Sequence, residues 1–206
     1  ANRMFDSRLR PLIDPPLNSI ASAVERTQIT ANAMSIFGLA LAGLAFASIA
    51  MGWFAMAVML IVANRLADGL DGAVARRRGS TELGGYYDIV FDFLFYGAVP
   101  LGFALYDPAA NALPAAVLLA AFYANGATFL GFSAIAAKLG LSTEVQGKKT
   151  IYYFAGIAEG AETIAVFIAF CLLPDWVFAI AYAFAALCFA SAATRIIAVR
   201  DALKDR

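Results

Sequence analysis

The stretch Asp68-Gly-Leu-Asp71-Gly72-Ala-Val-Ala75-Arg76, followed by Gly84-Gly-Tyr-Tyr-Asp88-Ile-Val-Phe-Asp92, sets four carboxylates inside a very apolar chain. Asp68 and Asp71 are three apart and Asp88 and Asp92 four apart, so in helices each pair shares one face. Two such helices side by side would bring all four acids together. Bare carboxylates at membrane depth are costly and repel one another, so they call for cations. One reading is ion pairing with Arg65 or Arg76. Four acids against two or three nearby bases leave excess negative charge, however, and an all-oxygen cluster suits hard divalent ions such as Mg²⁺, Mn²⁺ or Ca²⁺. A pair of such ions flanking a diphosphate activates phosphoryl transfer.

The rest of the composition agrees with a membrane setting. The 206 residues are 62% hydrophobic, above the usual apolar share of a soluble domain. Net charge is zero, which gives no electrostatic case for nucleic acid. There is no His, so neither a His-based zinc site nor a Ser-His-Asp triad is possible. Cys171 and Cys188 lie in apolar runs and read as small core residues.

Six apolar runs follow in order, at residues 31–51, 53–77, 84–106, 112–138, 150–173 and 176–199. Each is near the ~20 residues that a crossing helix needs. Thr30 or Asn32 reads as the N-cap of the first. Gly38 and Gly43 within it would allow close helix approach. The Asn125-Gly126 pair is expected to interrupt the fourth, and residues 200–206 form a charged tail. Ahead of the spans, residues 1–28 alternate Arg3, Arg8, Arg10 and Arg26 with apolar side chains, as in a helix lying in the membrane interface. The expectation is one all-α membrane domain over residues 1–206, with six transmembrane helices and an N-terminal interfacial amphipathic helix. None of the fifteen Lys and Arg falls in the turns at Gly52, Asp107 or Asp175. By the positive-inside rule, both termini, both basic loops and the acid cluster are cytoplasmic.

The motif resembles the signature D-x2-D-G-x2-A-R-x7-8-G-x3-D-x3-D of the CDP-alcohol phosphatidyltransferase family. All eight fixed positions match: Asp68, Asp71, Gly72, Ala75, Arg76, Gly84, Asp88 and Asp92. The resemblance implies a transferase of phospholipid synthesis in the bacterial inner membrane, functioning as a homodimer. It would move a phosphatidyl group from CDP-diacylglycerol to a small alcohol and release CMP. It implies two cations, Mg²⁺ or Mn²⁺, held by Asp68, Asp71, Asp88 and Asp92, with Asp92 also the general base. Asp68, Gly72, Ala75, Arg76 and Gly84 would surround the cytidine and diphosphate, the small residues also serving helix packing. Arg76 could anchor the cytoplasmic end instead, but a planar guanidinium beside a diphosphate is the sharper role.

The acceptor site is less defined. Lys148 and Lys149, in a run similar to that of phosphatidylglycerophosphate synthases but one residue shorter, could meet a phosphate such as that of glycerol 3-phosphate, as could Arg195. Glu159 and Glu162 are intramembrane acids three apart. They lack the neighbouring Arg residues of inositol-phosphate-using members, which favours a polyol or amine acceptor. A divalent-cation transporter or a non-catalytic membrane protein could use the same acids. The transporter would spread them through the membrane depth, whereas here they gather near one end of two helices.

Overall fold

The computed structural model describes residues 30–139 and 160–204. Over these residues every regular element is helical: α1 (Ala31–Ala50), α2 (Phe54–Arg78), α3 (Glu82–Tyr106), α4 (Pro108–Lys138), α5 (Gly160–Leu172), a 3-10 turn (Pro174–Trp176) and α6 (Val177–Lys204). The expected interfacial helix, Lys148, Lys149, Glu159 and the first part of the fifth span lie outside the described residues.

Local chemistry accounts for the boundaries. The Thr30 hydroxyl accepts from the Ala33 amide at 3.2 Å and opens α1. Thr81 does the same for α3, accepting from Gly84 at 3.0 Å, so that helix begins at Glu82, two residues before the expected start. Asp107 accepts from Ala110 at 3.1 Å, and Pro108 takes the first turn, where its missing N–H costs nothing. The fourth helix therefore begins at Pro108 rather than near Ala112. Between α1 and α2, Gly52 has φ of 75°, and a Cβ there would meet the Tyr106 ring at 2.9 Å.

Three further expectations are corrected. The fourth helix is not interrupted at Asn125-Gly126. The bare Gly126 backbone is where the Phe93 ring of α3 comes closest, 2.4 Å from where a Cβ would stand, so the glycine serves packing and not a break. The charged tail is not separate from the sixth helix, which continues through Arg200 to Lys204. Gly38 is buried at the crossing with α2, but among the described residues nothing lies within 4 Å of a Cβ at Gly43, so that glycine makes no close approach to them.

Among the described residues, four elements are long and apolar enough to cross a membrane: α1, α3, α4 and the 3-10 turn with α6. The second half of α2 is too charged to qualify on composition, and α5 is described over 13 residues. Helix α1 packs along both α2 and α3, α4 packs on α3 and α6, and α5 leans on α2. Fully buried phenylalanines hold the centre. Phe95 meets Phe167 edge-on at 5.7 Å, and Phe103 meets Phe170 at 5.4 Å. Ala181, Ala185, Cys188 and Ala192 form the buried stripe of α6; small side chains there let α4 come close. Cys171 and Cys188 are free and buried, as their apolar surroundings imply.

Candidate active site

The acids sit where apolar helix gives way to polar helix. Along α2, Ile61 is fully buried, Asn64 and Asp71 are nearly so, and Arg76 is exposed. Along α3, exposure falls from Asp88 to half-buried Asp92 and then to sealed Phe95. The result is a narrow crevice that ends against buried Asn64 and Phe95 and is partly open to the outside. Asp68, Asp71, Asp88 and Asp92 all line it, with Ser35, Gly38 and Leu39 of α1, Asn64 and Arg65 of α2, and Phe91 of α3.

The expected gathering of four acids is met by three: α2 and α3 approach through these side chains, with α1 packed along both helices. Carboxylate oxygens of Asp68, Asp71 and Asp88 lie within 4.8 Å of one another. Two oxygens on one Mg²⁺ stand at most about 4.2 Å apart, so small side-chain rotations bring these three onto a single hard ion. Asp92 is engaged otherwise. Its Oδ1 accepts from Arg65 Nη1 at 2.8 Å, while the same guanidinium reaches Asp68 Oδ2 at 3.5 Å.

Three polar residues of this site stand outside the motif. The Ser35 hydroxyl donates to Asp71 Oδ2 at 2.6 Å. Asn64 donates to the Gly38 carbonyl at 2.8 Å, which ties α2 to α1. Arg65 donates through Nε to Asn64 Oδ1 at 2.8 Å and lies 4.6 Å over the Phe95 ring. Their signal in the sequence is polarity at membrane depth, together with spacing: Ser35, Gly38 and Leu39 fall on one helix face.

The other motif positions lie beyond the acids. Gly72, Ala75, Arg76 and Gly84 do not line the crevice itself. The Arg76 guanidinium lies beside Gly72, 3.3 Å from where a Cβ would be. A Cβ at Gly84 would crowd Asn32 and Thr81, each at 3.1 Å, so the glycine keeps the start of α3 close to α1. Glu162 is half-buried on α5 and is not among the crevice residues. That helix begins beside α3, with Gly160 facing the Tyr96 hydroxyl one turn past Asp92. Arg195 is buried and is not among the crevice residues. It donates to the carbonyl and side-chain oxygens of Asn125, both at 3.0 Å, and to Thr128 at 3.1 Å, joining α6 to α4.

Fold and site together define a helical protein of membrane character whose crevice, among the described residues, is lined by hard oxygen donors and a guanidinium. Residues 28–199 match the CDP-alcohol phosphatidyltransferase family, and the chain belongs to it. It is 43% identical over 193 residues to Inner membrane protein YnjF of Escherichia coli (strain K12), covering 94% of each chain. It is 28% identical over 100 residues to the archaetidylinositol phosphate synthase of Pyrococcus horikoshii, 48% of this chain and 53% of that one. The crystal structure of Mycobacterium tuberculosis phosphatidylinositol phosphate synthase (PgsA1) with CDP-DAG bound shares the fold. Its TM-score is 0.72 at 20% identity, over 89% of this chain and 93% of that one.

Proposed function

We propose that this protein transfers a phosphatidyl group from CDP-diacylglycerol to a small alcohol and releases CMP. The observation that carries the reading is the convergence of Asp68, Asp71 and Asp88 from two helices within 4.8 Å, in a crevice that Asp92 completes. Mg²⁺ or Mn²⁺ ions held by these four acids would supply charge neutralisation and polarisation of the diphosphate. Asp92 accepts the proton of the acceptor hydroxyl. The acceptor oxygen bonds to the β-phosphorus while the bond from that phosphorus to the CMP oxygen breaks. Arg76 meets the diphosphate at the open end, and Gly72, Ala75 and Gly84 leave room for the cytidine.

Six spans, an interfacial N-terminal helix, a homodimer and placement in a bacterial inner membrane complete the proposal, with the crevice opening to the cytoplasm. The E. coli relative's name and the apolar helices support the location. The charge distribution supports the orientation. Lys148, Lys149, Glu159, Glu162 and Arg195 are the proposed acceptor-side residues. The names of the two synthases most directly favour a phosphorylated polyol as acceptor. Glycerol 3-phosphate is the other phosphorylated candidate.

Release of CMP from CDP-diacylglycerol with Mn²⁺, comparing wild type with Asp92→Asn, tests the base. Loss of a general base costs about 10²–10⁴-fold, and unchanged release rejects the assignment. Mass spectrometry of lipid products across candidate alcohols identifies the acceptor.

A further inference from the structure

Arg65 divides the four acids unequally. It sits at the closed end of the crevice, gripped from three sides: Asn64 Oδ1 on its Nε at 2.8 Å, the Phe95 ring 4.6 Å beneath it, and Asp92 on Nη1 at 2.8 Å. Asn64 is itself anchored to the Gly38 carbonyl. Such a guanidinium is a fixed charge and not a loose counter-ion. Asp68, whose oxygen lies 3.5 Å from it, stays within the group that converges with Asp71 and Asp88.

We infer that Arg65 is a positioning residue that makes cation loading sequential: a first ion enters at Asp68, Asp71 and Asp88, and a second is held at Asp92 only when a diphosphate is present. The inference rests on the metal reading above. The charge count supports it. Four carboxylates and one guanidinium leave a formal charge of −3. One divalent ion brings the crevice to −1, and a second would bring it to +1 in a partly buried site, which is unfavourable. A diphosphate carrying about two negative charges reverses that sign. Without Arg65 the count starts at −4, and two ions neutralise it with no substrate.

The test is Mn²⁺ titration of the purified full-length protein in detergent without CDP-lipid, with free ion followed by electron paramagnetic resonance. Wild type is expected to bind one ion tightly and a second at least about 100-fold more weakly. Arg65→Gln should narrow that gap by about tenfold or more, mainly by tightening the second ion. Arg65→Lys, which keeps the charge, should retain the wild-type pattern. A merely structural arginine would weaken both ions together on removal. Parallel weakening, an unchanged gap in Arg65→Gln, or a narrowed gap in Arg65→Lys overturns the inference. If Arg65→Gln does not fold, the charge-matched pair Arg65→Gln/Asp92→Asn decides. It should hold one ion within about threefold of the wild-type tight site, and loss of that ion would overturn the proposal. Wild type that binds no Mn²⁺ at all would instead refute the metal reading itself.

Discussion

Replacing Ser35 by Ala removes one hydrogen bond and little else. The hydroxyl donates at 2.6 Å to Asp71, the most buried acid of the site at 7% exposure. Its other neighbour, the Ala31 carbonyl, is 3.2 Å away, and a hydroxyl has a single proton, so the shorter contact takes it. A hydrogen bond to a charged group is worth about 1.5–3 kcal/mol, which corresponds to roughly tenfold to 150-fold in an equilibrium. Water entering the open side of the crevice replaces part of that, so about tenfold to thirtyfold is expected. The loss should fall on cation affinity, because the hydroxyl fixes which Asp71 oxygen turns toward an ion. The assay is the Mn²⁺ concentration giving half-maximal CMP release at saturating CDP-diacylglycerol. Ser35→Ala should raise it by that factor, and Ser35→Thr, which keeps the hydroxyl, should stay near wild type. An unshifted Mn²⁺ dependence in Ser35→Ala, or equal damage from Ser35→Thr, refutes the reasoning.

Packing and tie residues give further expectations. Gly102→Ala puts a Cβ 3.1 Å from that of Ile49 and 3.3 Å from the Phe46 carbonyl oxygen, neither free to move away. It should cost about 1–3 kcal/mol, a fall of several degrees in Tm. Gly126→Ala meets only the ring of half-exposed Phe93, which swings aside, so its Tm should fall by less; the reverse order would contradict the packing described. Arg195→Lys shortens the side chain and withdraws Nη1, the nitrogen that donates to both Asn125 and Thr128, and thermal unfolding should show a loss of about 1–3 kcal/mol. Wild-type stability in that variant would mean the contacts carry no weight.

The sequence was most legible where physics is local. A Thr ahead of an apolar run caps a helix wherever it occurs, and Thr30 does so here. The acid spacing placed Asp68 with Asp71, and Asp88 with Asp92, on shared faces, because helix geometry alone dictates it. What spacing could not convey was which helix stands between the two. The wall of the crevice is α1, and Ser35 enters the site through a contact 36 residues away in sequence. Nor could composition decide between Arg65 and Arg76 as partner of the acids. Both lie near the motif on α2, but only Arg65 points inward over Phe95, whereas Arg76 is exposed. Asn125-Gly126 carries the residues of a turn, yet the chain stays helical, because packing of α4 along α3 and α6 overrides local preference.

The central claim is that acids from two helices share hard cations to act on a CDP-lipid. The most direct measurement is CMP release from CDP-diacylglycerol by purified Asp71→Asn and Asp88→Asn, one substitution on each helix, with Mn²⁺ present and with it chelated. Each variant should lose at least about a hundredfold, and chelation should stop the wild type. Release at the wild-type rate by either variant, or release that persists without divalent cations, would contradict it.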